Sequence, residues 1–284
     1  MNPALEVTIL GCGSSAGVPR ADGSWGACDP SEPKNRRNRC SLMVRRLPGQ
    51  GPGYQAQPEH QTTIIIDAAP EFRTQTAAAG ARRLDALLFT HDHADQAHGV
   101  DDIRVFALMQ RMRIPVHADE ATETTLLRRF GYIFHGEKGY PAIADLHRLP
   151  EHGTPWHVDG PSGAIPLVTF DQDHGMVRSV GYRIGGMAYS SDVVDLDEPA
   201  FAALEGLDLW IVDALRYTPH PTHAHVDRTL EWIARVRPKR AVLTNMHIDI
   251  DYHELARRLP EGVEPAYDGM RFALDIEDQH RGSS

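Results

Sequence analysis

The sequence predicts a layered α/β fold built around mixed sheets. Apolar segments typical of strands alternate with segments typical of helices along the whole chain, and the region near the end reads as a β-α-β series. No internal repeat is visible, and no linker separates two domains. The 284 residues suffice for one sizeable core, so we expect a single domain over 1–284.

The first third of the chain contains four predicted strands and one helix. The strands are 5–10, 40–46, 62–68 and the apolar run LDALLF at 84–89. The helix covers 70–79, with proline at a tolerated early position and Gly80 as its stop. The segment LPGQGPGYQAQPEHQ at 47–61 is rich in Gly, Pro and Gln, which predicts a mobile surface loop.

The remainder of the chain alternates between the two kinds of segment. Helices are predicted over 98–111, 120–130 and 225–236, and extended segments over 114–118, 165–170 and 179–190, the last a hairpin with Gly185-Gly186 at its turn. DLWIVDA precedes the third helix and RAVLTNM follows it, which completes the β-α-β series.

The composition excludes several classes of protein. Three cysteines are too few for a disulfide framework, and no apolar run approaches the roughly 18 residues of a membrane helix. The N-terminus lacks a signal-peptide pattern, so we expect a cytoplasmic protein. The net charge of -10 argues against non-specific nucleic-acid binding over the whole surface. Sixteen histidines, many of them clustered, make metal chemistry the first function to consider.

Histidine and aspartate follow four separate apolar strands. FTHDHADQAHG places His91, His93 and Asp95 directly after the strand 84–89. The residues that follow the other three strands are His174 in FDQDHG, Asp192 in AYSSDV and His247 in LTNMHID. A strand end fixes the backbone while the following loop lets side chains aim at one point. Imidazole and carboxylate together suit Zn, Mn, Fe or Co, so the pattern predicts a metal site.

This order of residues resembles the metallo-β-lactamase-fold hydrolases, and the resemblance covers nearly the whole chain. The early segments TILGCGSSAGVPR and WGACDPSEPKNRRNRCSLMV resemble the branch that contains the phosphoribosyl cyclic phosphate phosphodiesterase PhnP. The neighbouring branch is tRNase Z. The resemblance implies an αββα sandwich with two divalent metal ions, Zn or Mn, at one edge. It further implies that His91, His93 and His174 bind one ion, that Asp95 and His247 bind the other, and that Asp192 bridges them.

Three positions depart from the family pattern. The family motif continues as HxHxDH and its last histidine serves the second metal, whereas this chain has Gln96. An amide oxygen binds metals more weakly than imidazole does, so we expect a weaker second site, with Gln96 or His98 as the ligand. The late ligand position is open between Asn245 and His247. PhnP carries closely spaced cysteines in its early loop, whereas this chain has only Cys28 there. One thiol cannot hold a tetrahedral zinc ion, so we expect no accessory structural zinc.

The resemblance implies hydrolysis by a metal-bound hydroxide, because the metals lower the pKa of bound water to about 7. The leaving oxygen then needs a proton. In tRNase Z, a histidine of an HST motif precedes the threonine of the late strand by a fixed interval. Counting back by that interval from Thr244 leads to His223, in the segment HPTHAHVD. We therefore expect Asp95 and His223 to be catalytic and His220 to bind substrate. The alternative for His220 and His225 is a loop whose histidines face solvent.

A basic run, KNRRNR at 34–39, stands out in this acidic protein. Arginine can bind phosphate oxygens in a bidentate manner, so we expect Arg37 and Arg39 to contact substrate. Arg104, in GVDDIR after the histidine motif, is a similar candidate. The alternative for any such run is a solvated charged face.

These observations favour a metal-dependent hydrolase that cleaves a small phosphodiester, cyclic phosphodiesters included. The first alternative is a nuclease of the tRNase Z kind, which the acidic charge balance does not favour. A non-catalytic protein that binds a metal or a ligand is the second alternative, since Gln96 and Asn245 replace expected ligands. The sequence predicts no membrane partner and leaves formation of a homodimer open.

Overall fold

The computed structural model describes residues 5–48 and 57–275, so most of the loop predicted over 47–61 lies outside the described residues. The strands are β1 (Leu5–Gly11), β2 (Ser41–Arg46), β3 (Thr62–Ile66), β4 (Ala86–Leu88), β5 (Ile114–Ala118), β6 (Ala144–Arg148), β7 (Trp156–Val158), β8 (Ile165–His174), β9 (Val177–Ile184), β10 (Met187–Ser190), β11 (Leu209–Asp213), β12 (Arg240–Thr244), β13 (Val263–Pro265) and β14 (Arg271–Leu274). The helices are α1 (Phe72–Ala78), α2 (Ala94–Ala97), α3 (Arg104–Gln110), α4 (Glu120–His135), α5 (Glu198–Ala203), α6 (Val226–Val236) and α7 (Tyr252–Arg258).

The strands form two seven-stranded mixed sheets. The first has the order β14-β1-β2-β3-β4-β5-β6 and the second β13-β12-β11-β10-β9-β8-β7. In the first sheet the pairing changes from antiparallel to parallel at β3, and in the second it changes at β10. Each sheet therefore brings the carboxyl ends of several parallel strands to one edge, where loops can present side chains together.

Strand β3 shows how the layers are built. Ile64 and Ile66 pack in a core that holds side chains of both sheets, among them Trp210 of β11. Ile65, on the opposite face, packs in a second core with Phe72 of α1. Because successive side chains of a strand point to opposite faces, the all-apolar β3 fills both layers. Helices thus cover the outer faces of two stacked sheets, which confirms the predicted αββα sandwich.

The segment predicted as one helix over 98–111 has a different structure. It begins with two residues outside any helix, continues as a 3-10 turn at Val100–Ile103 and ends with α3, while the short helix α2 precedes it. The break after α2 falls at Gly99, whose backbone nitrogen donates to the Ala68 carbonyl at 2.9 Å. Here the chain passes so close to the segment after β3 that a continuous helix with side chains would not fit.

Replacing Gly99 by alanine is expected to destabilise the fold by about 2–3 kcal/mol, because a Cβ there would overpack a backbone that cannot yield. It would lie 2.0 Å from the Ala69 carbonyl oxygen and 2.7 Å from the Phe72 Cβ. Urea unfolding would measure the loss. The matched control is Gly131→Ala in α4, where the nearest atom is 3.9 Å away and helix propensity favours alanine. Equal stability of the two variants would contradict the tight approach.

Candidate metal centre

Three histidines from two loops converge at the edge where the sheets' strands end. His91 and His93 follow β4, and His174 ends β8. The ring centroids are 4.5–5.1 Å apart, and one nitrogen of each ring lies within 4.8 Å of the others. These are distances at which three imidazoles can share one metal ion.

A buried chain of hydrogen bonds orients His91. Thr90 donates to Asp67 through both its backbone nitrogen (2.8 Å) and its hydroxyl (2.9 Å), and that hydroxyl lies 3.0 Å from His91 Nδ1. His91 Nε2 is buried and has no hydrogen-bond partner among the described residues. Burial lowers the pKa of His91 to about 3, so the ring is neutral and the Nε2 lone pair is free to bind a metal.

The tautomer of His174 follows from its partner. His174 Nδ1 lies 2.7 Å from the Thr222 carbonyl oxygen, which can only accept a hydrogen bond. Nδ1 must therefore carry the proton, and Nε2 presents a lone pair. That Nε2 is 3.3 Å from His93 Nδ1. Such a backbone contact on the far side of a ligand ring is the usual way in which a metal-binding histidine is fixed.

Asp192 supplies a carboxylate to the same centre. It is 2% exposed, follows β10, and forms a second metal-competent group with His174 and His223. Its Oδ1 is 4.0 Å from His174 Nε2 and 3.9 Å from His223 Nδ1. Burial alone would raise the pKa of Asp192, but the nearby imidazoles of His91 and His223 lower it. Asp192 is thus an ionised acceptor at neutral pH.

His223 is paired with a second buried carboxylate. Its Nδ1 lies 2.8 Å from Asp213 Oδ2, at the end of β11. Burial alone would lower the pKa of His223, but the Asp213 carboxylate, aided by Asp192, raises it to about 9. His223 therefore carries two protons at neutral pH, one held by Asp213 and one available to a neighbour.

Gln96 lies inside the centre and Asp95 beside it. Gln96 is fully buried and donates from Nε2 to Asp192 Oδ2 at 3.0 Å. Asp95 is half-buried, and burial together with the charge of Asp192 raises its pKa. His98 is exposed and packs its ring edge-on against Phe130, with centroids 5.7 Å apart, so it does not serve as the alternative ligand.

The structure does not bring His247 to the centre. Its Nε2 accepts a hydrogen bond from the Arg20 guanidinium, and its Nδ1 lies 2.9 Å from Asp249 Oδ2. Asn245, one residue after β12, points to the centre instead, with Nδ2 3.2 Å from His223 Nδ1. Of the two late positions left open by the sequence, Asn245 is the one that contacts the site.

The four predicted substrate-binding residues lie in different places. His220 is close to the centre, its ring centroid 5.1 Å from that of His223. Arg39 lines a cleft but pairs with Glu71. Arg37 is 1% exposed and donates to Asn35 and the His247 carbonyl, so its guanidinium supports the fold instead of reaching ligand. Arg104 pairs with Asp101 at 2.7 Å and lines a separate surface groove.

A cleft of about 660 Å³ adjoins this edge of the molecule, lined by residues 15–22 and 36–39 with Glu71. Arg20 lines it, and the Arg20 Nε is buried without a partner among the described residues. Because Arg20 also contacts His247, two residues after Asn245, the cleft lies next to the histidine cluster. Its volume falls in the range of sites for small molecules.

Four residues of the site were missed by sequence reasoning. Asp67 directly follows the apolar strand β3 and Asp213 ends β11, the same signal that marked Asp192, and so both could have been found. Thr90 and Arg20 carry no such signal, because their roles depend on contacts that only the folded chain creates. No helix among the described residues is long and apolar enough to cross a membrane.

Comparison with known families identifies the domain. Residues 62–248 match the family model described as the Beta-lactamase superfamily domain. A curated octanoyltransferase from Porphyromonas gingivalis (strain ATCC BAA-308 / W83) is 27% identical over 275 residues, which cover 95% of this chain and 52% of that protein. The chain therefore spans about half the length of the curated relative that it matches.

Solved structures support the same assignment. A structure titled as a new diphosphatase from the PhnP family is 32% identical, with a TM-score of 0.81, over 96% of this chain and all of that one. PqqB from Methylobacterium extorquens (16%, TM-score 0.70, 95% and 100% covered) and short-form human tRNase Z (15%, TM-score 0.63, 95% and 100% covered) share the fold. The chain belongs to the β-lactamase superfamily and, within it, to the PhnP family.

Proposed function

We propose that this protein is a metal-dependent hydrolase that cleaves a small phosphodiester, cyclic phosphodiesters included. The observation that carries the proposal is the histidine cluster with ionised Asp192, placed beside a cleft that contains a cationic side chain. The relative named as a PhnP-family diphosphatase, 32% identical over nearly the whole chain, supports phosphate chemistry. Arg20 and the metal ligands would together favour an anionic substrate.

The donor set fits a divalent transition metal. His91, His93 and His174 present ring nitrogens, Asp192 adds a carboxylate oxygen, and the buried His91 Nε2 has no hydrogen-bond partner in the described part of the chain. Imidazole with carboxylate suits Zn or Mn. When bound, such an ion polarises a phosphoryl oxygen and lowers the pKa of a coordinated water to about 7. Asp67 with Thr90, and the Thr222 carbonyl, would hold the ligand rings in place.

His223 is the residue we assign to proton delivery. Asp213 fixes the ring through Nδ1, which leaves the Nε2 proton for the leaving oxygen of the substrate. The same carboxylate stabilises the protonated ring, so that the acid is charged before the reaction begins. This arrangement matches the role predicted for His223.

Arg20 is the residue we assign to substrate phosphate, in place of Arg37. Arg20 lines the cleft and contacts His247, whereas Arg37, which also borders the cleft, is 1% exposed and donates to Asn35 and the His247 carbonyl. Arg39 lies in the same cleft but is neutralised by Glu71. A planar guanidinium can donate to His247 and to a phosphate oxygen at once, because it has five N–H groups.

A panel of chromogenic substrates tests this function. Protein stripped of metal and reloaded with Zn or Mn is expected to hydrolyse bis(p-nitrophenyl) phosphate faster than p-nitrophenyl phosphate or p-nitrophenyl acetate. Faster hydrolysis of p-nitrophenyl octanoate than of the diester would contradict the proposal and favour the acyl chemistry named in the Porphyromonas relative. Hydrolysis of RNA with a rate that falls steeply with salt would instead favour a nuclease.

A further inference from the structure

Gln96 forms a hydrogen bond with the carboxylate of Asp192. Its side-chain nitrogen faces Asp192 Oδ2 at 3.0 Å, and both residues are buried. An ionised carboxylate accepts hydrogen bonds only, so the group that Gln96 turns toward Asp192 must be its NH₂ and not its carbonyl oxygen. The orientation of the amide is therefore fixed by chemistry.

The two oxygens of Asp192 have different partners. Oδ2 accepts from Gln96 and from the Ser191 hydroxyl, which together occupy the roughly two lone-pair sites of that oxygen. Oδ1 faces the imidazoles of His174 and His223 instead. Only Oδ1 remains free for a metal, so Asp192 cannot bridge two ions through both of its oxygens.

The other donors around a second position are poor ligands for a transition metal. Asn245 contributes a neutral amide beside His223, and the Cys40 thiol lies 3.8 Å from its Oδ1. His247 has its Nε2 engaged by Arg20. One carboxylate, Asp95, with two amides makes an oxygen set with a single negative charge, which lacks the imidazoles that Zn favours and offers Mn one anionic ligand.

We propose that this protein binds one divalent metal ion per chain, at His91, His93, His174 and Asp192 Oδ1. Gln96 and Asn245 replace a second ion, and the Gln96 amide fixes Asp192 by a hydrogen bond instead of a second metal bond. The inference rests on the metal centre of the proposed function and replaces the two ions that the family resemblance implied.

Metal counting tests the inference independently of activity. Protein stripped with a chelator is dialysed against graded free Zn²⁺ or Mn²⁺, and bound metal is measured by mass spectrometry against protein concentration. We expect wild type to saturate at about one ion per chain, and the Gln96→His/Asn245→His variant to saturate at about two. The Mn²⁺ EPR spectrum should show an isolated ion in wild type and an exchange-coupled pair in the double variant.

One control variant tests whether the position of the added histidine matters. Gln110→His places a histidine on α3, where the glutamine hydrogen-bonds the Leu84 backbone, and should leave the count at one. Two tightly bound ions in wild type would overturn the inference and leave the hydrolase proposal standing. No bound ion would overturn both. If the folded Gln96→His/Asn245→His variant still binds one ion, Gln96 and Asn245 are not the residues that prevent binding of a second ion, which would overturn their assigned role.

Discussion

His91→Ala is expected to remove the bound metal and to lower phosphodiester hydrolysis by about a thousand-fold or more. The ring is buried, and among the described residues its Nε2 has no hydrogen-bond partner, which leaves that nitrogen for the metal. A metal ion contributes several kcal/mol to the stabilisation of charge in the transition state, and each 1.4 kcal/mol is about tenfold in rate. Metal content and turnover of bis(p-nitrophenyl) phosphate would be measured on the same preparation.

His98→Ala is the matched control for that substitution. His98 belongs to the same motif but is exposed and packs on Phe130, so its loss should leave metal content and turnover within about twofold. Circular dichroism of both variants would show that the fold is intact. Full metal occupancy in a folded His91→Ala protein would show that His91 is not a metal ligand.

His223→Ala is expected to lower turnover by about 10²–10⁴-fold on substrates with a poor leaving group while the metal stays bound. A p-nitrophenolate leaving group departs without a proton, so its release should be much less affected. Asp213→Asn should show the same dependence on the leaving group with a smaller loss, because the ring keeps its place but loses the charge that raises its pKa.

The metal count distinguishes an acid from a ligand. His223 is close enough to Asp192 and His174 to bind an ion, and loss of metal in His223→Ala would assign it that role instead. An equal loss of rate on p-nitrophenyl and alkyl esters would also contradict proton delivery. Retention of metal with a selective loss on poor leaving groups is the result that our assignment predicts.

The sequence predicted the layers of the fold better than their boundaries. Long apolar runs such as 62–68 and 84–89 are stable only when they are buried between layers, and the structure places them there. Short elements at the margins, such as β6, β7 and β14, were missed, because three to five partly exposed residues carry little periodic signal. The helix predicted over 98–111 begins only at Arg104, and Gly99, near its predicted start, lies against Ala69, 30 residues earlier in the chain.

The site was predictable where its residues follow strands directly. His91, His93, His174 and Asp192 converge because parallel and paired strands end at one edge, and a strand's end fixes the position of the next residue or two. His247 was chosen for its residue type, but it lies further along the loop after β12 and turns to Arg20. Asn245, with the nearer position, is the residue that reaches His223.

The number of metal ions depends on a hydrogen bond that the sequence does not show. The sequence does not show which side-chain atom of Gln96 faces which neighbour, whereas the structure turns the nitrogen to Asp192. The same holds for Arg20 and Arg37, which read alike as basic residues near a turn. Both border the cleft, but Arg37 is 1% exposed and its guanidinium donates to Asn35 and the His247 carbonyl.

Titration of the metal-stripped protein tests the central claim most directly. Zn²⁺ or Mn²⁺ is added in steps, and bound metal and hydrolysis of bis(p-nitrophenyl) phosphate are measured at each step. We expect turnover to rise in proportion to bound metal and to reach its maximum near one ion per chain. Turnover that is independent of bound metal, or a chain that binds none while His91, His93 and His174 are intact, would contradict the account.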